Sequence, residues 1–166
     1  MTTPQLEFDR ELLGKEFPAG TFRVEKERLL AYCAAIGESN PIYTDEEAAR
    51  RSGFRSLVAP PSFCTLLERT SIRPKIHLKF SGMAFHAWQT IECFAPVCAG
   101  DVLEARARLK DVYTRPGRTG PAAVVVWETT FTNQEATLVA LVQASSITRP
   151  RPADGGTRPR LEGGGA

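Results

Sequence analysis

From residue 85 onward the hydrophobic period of this chain is two, and it is clearest over residues 102–113. There Leu103, Ala105, Ala107 and Leu109 alternate with Glu104, Arg106, Arg108 and Lys110. Successive side chains of a strand point to opposite faces, so this spacing predicts an antiparallel strand with one face buried and one in water. The charged face reads as ordinary solvent exposure and not as a binding patch. Strands are predicted at 85–94, 122–132 and 137–148 as well, joined by a connection ending in Gly100-Asp101, a hairpin loop at 114–121 and a turn at 133–136.

The first half has a different period. A short strand is expected at 22–24, after a polar, loosely packed lead-in over residues 1–20 with a short helix near Arg10. Leu29, Leu30, Tyr32, Cys33 and Ile36 fall at helical spacing over 25–36, and Gly37 suits the end of that helix. Thr44 followed by Glu47 has the spacing of a capping box for a second helix running to about Arg51. Beyond the Pro60-Pro61 corner, Ser62 is placed to cap a third helix over 63–70. The connector at 73–83 carries no clear period.

Helices gathered before a run of antiparallel strands make an α+β domain. At 166 residues the chain is one domain, expected over 21–149, with an Arg/Pro/Gly-rich tail at 150–166 expected to be disordered. A sheet with a long exposed edge usually acquires a partner, so a dimer is expected. Lys plus Arg number 21 against 19 acidic residues, and a net charge of +2 gives no electrostatic case for nucleic acid or an acidic membrane surface. No apolar run approaches the roughly 18 residues that a membrane span needs. No basic n-region leading into an apolar h-region opens the sequence, and a cytoplasmic protein is expected. Cys33, Cys64, Cys93 and Cys98 lie in apolar segments without metal-ligand spacing and are expected to behave as small core hydrophobes. No metal and no cofactor are expected.

Over residues of about 22–148, the segments GESNPIYTDEEAARRSGF, VAPPSF, HAWQ, FAPVCAGD and TNQEATLVA occur in an order that resembles the MaoC-like family of hydratases and dehydratases. The resemblance implies a single hot-dog fold, an antiparallel sheet wrapped around a central helix. It also implies an acyl thioester of CoA or of acyl carrier protein as ligand, and either a homodimer or a heterodimer with a second hot-dog subunit. In active members a carboxylate and a histidine flank an Asn-Pro turn and hold a water across the double bond, serving as base and acid.

Here Glu38 stands in place of the expected Asp, and Tyr43 in place of the His. Glutamate moves the charge by roughly one bond length, and a misplacement of about 1 Å can cost around a hundredfold. A phenol donates a hydrogen bond but is a poor base at neutral pH. Pro60-Pro61 replaces the His-Gly corner whose glycine N–H serves as oxyanion donor, and proline has no N–H. These departures resemble the N-terminal or non-catalytic-subunit type of dehydratase domain, which shapes the acyl channel.

The resemblance therefore implies Glu38, Tyr43 and His86 as candidate catalytic residues, and Asn40, Pro61, Ser62, Phe63 and Gln89 as candidate substrate contacts. Alternatives stay open residue by residue. Glu38 also fits a solvated or capping carboxylate, Tyr43 a core aromatic with its hydroxyl on backbone, and His86 a histidine at a strand edge. His77, between Lys75 and Lys79, is expected to be exposed. Three functions are consistent with the chain: a dehydratase or hydratase subunit, active alone or only with a catalytic partner; a homodimeric acyl-thioester-binding protein without turnover; or a thioesterase with Glu68 as base.

Overall fold

The computed structural model describes residues 6–117 and 120–149, so the expected tail at 150–166 lies outside the described residues. Five strands form one antiparallel sheet: β1 (Glu16–Arg23), β2 (Met83–Cys93), β3 (Val102–Arg115), β4 (Ala122–Thr132) and β5 (Leu138–Arg149), in the spatial order β1-β3-β4-β5-β2. The predicted alternation on β3 is what sets its register: Leu103, Ala105, Ala107 and Leu109 are buried, while their charged neighbours face outward.

After a short 3₁₀ turn at Arg10–Leu12, where a short helix was expected, four α-helices precede β2 among the described residues: α1 (Lys26–Ile36), α2 (Pro41–Thr44), α3 (Glu46–Arg51) and α4 (Phe63–Thr70). Phe63, Cys64 and Leu67 on one face of α4 sink into the core with Trp127 and Phe131 of β4 and Val142 of β5. Fully burying one such large apolar side chain contributes about 1.5–3 kcal/mol. That is what holds a helix of eight residues against the sheet when its intrinsic helicity is marginal. Gly37 ends α1 in the left-handed conformation at φ 71°, as its position suggests.

Several expectations need correction. β1 is a strand of eight residues starting at Glu16, so residues 16–20 belong to the sheet and not to a loose lead-in. The segment before it is also tied down: Leu6 is buried, and Asp9 N–H and Lys79 N–H bond across to Ile76 and Glu7 carbonyls at 3.0 and 2.9 Å. The second helix is split, and Asp45 caps its second part, its Oδ1 accepting from Glu47 and Ala48 N–H. Thr44 lies inside α2 and its hydroxyl donates back to the Asn40 carbonyl. Ser62 makes no cap bond, because its own backbone is helical (φ -71°, ψ -9°); its hydroxyl accepts from Tyr32 instead. Cys93 is exposed, unlike the other three cysteines, because β2 is an edge strand.

Candidate functional site

The turn between α1 and α2 organises itself. Glu38 Oε1 accepts hydrogen bonds from the N–H groups of Ser39 at 2.9 Å and Asn40 at 2.8 Å, so this half-buried carboxylate staples its own turn. Asn40 Oδ1 accepts from Ile42 N–H at 3.2 Å and caps α2, with Pro41 at the first helical position. The Cys33 thiol donates to the Tyr43 carbonyl at 3.4 Å and links α1 to α2. Burial, and then the nearby charge of Glu38, push that thiol's pKa up.

Beside this turn lies a cavity of about 340 Å³ whose walls include Tyr43, Phe54, Pro60, Pro61, Cys64 and Cys93. Its lining comes from stretches far apart in sequence that are zipped together by backbone. Ala59 N–H bonds to Val97 O and Ala99 N–H to Leu57 O, both at 2.8 Å, while Val58 N–H reaches Ile42 O at 3.2 Å. Asp101 locks the zipper. Its buried carboxylate accepts from Cys98 N–H at 2.8 Å and Gln134 Nε2 at 3.0 Å, and pairs with Arg55. Burial, and then the neighbouring Cys93, raise the Cys64 thiol to about 12, and partial desolvation of its sulfur against the cavity wall raises Cys93, although the residue as a whole is exposed. Neither is a prepared nucleophile, which needs a lowered pKa.

The family model described as "FAS1-like, dehydratase domain region" matches residues 11–142. The chain belongs to this family. A curated relative of the FAS1-like dehydratase domain, a UPF0336 protein of Parafrankia sp. (strain EAN1pec), is 30% identical over 147 residues, 85% of this chain and 94% of the relative. Among solved structures, the C-terminally truncated HadBC (3R-hydroxyacyl-ACP dehydratase) complex of Mycobacterium tuberculosis is similar at 26% identity and a TM-score of 0.68. That similarity covers 82% of this chain and 96% of that one. The MaoC-like dehydratase of Rhodospirillum rubrum shares the fold at 23% identity and a TM-score of 0.64, over 89% of this chain and 99% of that one. The fold is the hot-dog expected from the motifs, and the family is one of dehydratase domains.

On this FAS1-like dehydratase domain, Tyr43 and Pro61 line the cavity, whereas Glu38, Ser62, His86 and Gln89 do not. Among the described residues no hydrogen bond joins Glu38 to Tyr43 or to His86, and none reaches the Tyr43 hydroxyl. Ser62 Oγ accepts from Tyr32 OH at 2.9 Å, and Phe63 is fully buried with its ring edge-on to Tyr32. His86 and Gln89 are exposed on β2, opposite Ser146 and Ala144 of β5. His77 is exposed as expected, with Nδ1 at 2.6 Å from Asp9 Oδ2.

Glu68 is buried in contact with Arg73, whose guanidinium lies over the Trp127 ring at 5.5 Å. Burial lowers Arg73 to about 10. The contact is one of charge proximity, since Glu68 Oε1 and Arg73 Nε and Nη2 make no aligned hydrogen bond. Among the described residues no three His, Cys, Asp or Glu side chains are grouped to hold a metal ion. Sequence reasoning missed Phe54, Cys64 and Cys93 as cavity walls. Their apolar character is the only local signal, and it is the same as that of core residues.

Proposed function

We propose that this chain is the acyl-binding subunit of a (3R)-hydroxyacyl-thioester dehydratase or enoyl-thioester hydratase, with a second hot-dog chain supplying the proton-transfer groups. The observation that carries this reading is the split between cavity and carboxylate. The cavity is walled almost wholly by apolar groups, three of them prolines without N–H, while one oxygen of the carboxylate at the turn accepts from its own backbone. Such a site grips an acyl chain and offers little for moving protons. The similarity to a chain of the HadBC complex, named as a 3R-hydroxyacyl-ACP dehydratase, supports a partner of the same fold.

Hydration of crotonyl and longer enoyl thioesters tests it, with the chain alone and mixed with an active hot-dog chain. Activity is expected only in the mixture, and Glu38→Gln is expected to leave it essentially unchanged, since that carboxylate bonds its own turn. Inactivity in both, with no complex formed, sinks the reading. A homodimeric thioester-binding protein without turnover is the second reading, favoured by Tyr43 and Pro60-Pro61 in place of the catalytic types. It predicts acyl-CoA binding with no activity in either mixture. The burial of Glu68 against Arg73 speaks against its use as a thioesterase base.

A further inference from the structure

We infer that the face of the sheet turned away from the helices carries a site for a nucleoside phosphate, in which Arg115 and Arg149 hold the phosphate and Tyr113 receives the base. Arg115 pairs with Ala122 across β3 and β4, and Ala123 pairs with Thr148 across β4 and β5, so Arg149 falls beside Ala122 in the same cross-strand row. Val112 and Val125, three residues from Arg115 and from Ala122, pack into the core on the helix side. Alternation therefore turns Arg115, Ala122 and Arg149 to the opposite face, with Tyr113 and Ile147 in the next row.

Two strand spacings put the arginine backbones about 10 Å apart, and the residue between them is alanine. That drop in side-chain length leaves a cavity of about 470 Å³, whose lining includes Arg115, Ala122, Ile147, Arg149 and two hairpin glycines. Among the described residues no carboxylate lines it, and neither arginine has an ion-pair partner. Two guanidinium forks facing one gap suit a phosphate, whose oxygens each fork can take two at a time. Tyr113 keeps 38% of its surface exposed two residues from Arg115, which leaves its ring open to a flat partner. The site is separate from the acyl cavity and stands whichever reading of that cavity holds. Ala140, the last β5 residue in the wall of the acyl cavity, belongs to the core side and lies about 30 Å along the strand from Arg149.

The test is calorimetric titration of the full chain with ADP, pyrophosphate and adenosine at low salt. Wild type is expected to bind ADP and, more weakly, pyrophosphate, with adenosine at least about tenfold weaker than ADP. Replacing both cations, Arg115→Gln with Arg149→Gln, is expected to weaken ADP and pyrophosphate about tenfold or more. Arg51→Gln with Arg69→Gln removes the same charge from exposed positions elsewhere and is expected to change neither. Tyr113→Ala is expected to weaken ADP about fivefold or more and to leave pyrophosphate unchanged. Wild type binding neither ADP nor pyrophosphate overturns the inference, as does adenosine binding as tightly as ADP. So does an affinity kept without Arg115 and Arg149, or an equal loss without Arg51 and Arg69. ADP binding untouched by Tyr113→Ala overturns the place given to the base. All the substituted side chains are exposed, and far-UV circular dichroism checks that each variant is folded.

Discussion

Glu68 is a carboxylate shut away from water on the core-facing side of α4, neutralised by an arginine that is itself largely covered. Removing one partner of such a pair leaves a charge with no compensation, at a cost of about 3–5 kcal/mol when fully buried. Arg73 keeps some contact with solvent, which places Glu68→Ala toward the lower end of that range. Chemical denaturation is expected to show this loss, and a paired replacement of Glu68 and Arg73 by Leu and Met is expected to recover most of it. Asp45 makes the same point on a smaller scale. The capping-box spacing pointed to Thr44, but the chain has one more break than that pattern assumes, and the side chain that meets the free N–H groups is the next one along.

At the scale of elements, β2 is the unfinished part of the fold. Its inner edge pairs with β5 over its whole length, while its other edge has no strand beside it among the described residues, and Met83, Phe85 and Trp88 remain exposed. An edge of this length with large apolar side chains invites a further strand. A charge placed there opposes pairing without disturbing the core, so Phe85→Lys is expected to weaken the proposed association with a hot-dog partner in analytical ultracentrifugation while its far-UV circular dichroism is kept. The period-two pattern found this strand to within two residues at its start. It did not show that the strand lies at the edge, because an edge strand and a central strand with similar composition differ only in their neighbours.

For the molecule as a whole, a loss of stability in acid is expected where α1 meets α3. Hydrogen bonds from Lys26 and then Arg50 hold the Glu46 carboxyl down at about 2 against the opposing effect of burial. A carboxyl whose pKa is lower when folded than the ordinary value of about 4.3 contributes stability that is fully present above that value. The contribution is lost as pH falls through the window from about 4.3 toward about 2. Thermal melts of wild type and Glu46→Gln are therefore expected to differ most at neutral pH and to converge at the acid end. Because the side chains are partly in water, added salt is expected to narrow the difference at neutral pH.

Strands β2 to β5, α1 with its Gly37 end and α4 after the proline pair were legible from residue order, because alternation, helical spacing and chain-breaking residues act over a few positions, whereas most of β1 was not. The family could be recognised for the same reason, its motifs being short and ordered. The cavity could not. Its walls come from α2, the 54–61 segment, the 93–97 turn and the start of β5, brought together by bonds such as Ala59 to Val97 and by Asp101. Whether a carboxylate at a turn points into such a space or back at its own N–H groups is decided by packing between distant segments. Glu38 and Tyr43 are five positions apart, yet one closes its own turn and the other lines the cavity. Residue type set what each side chain is able to do, and the convergence of remote segments set which of them meets a ligand.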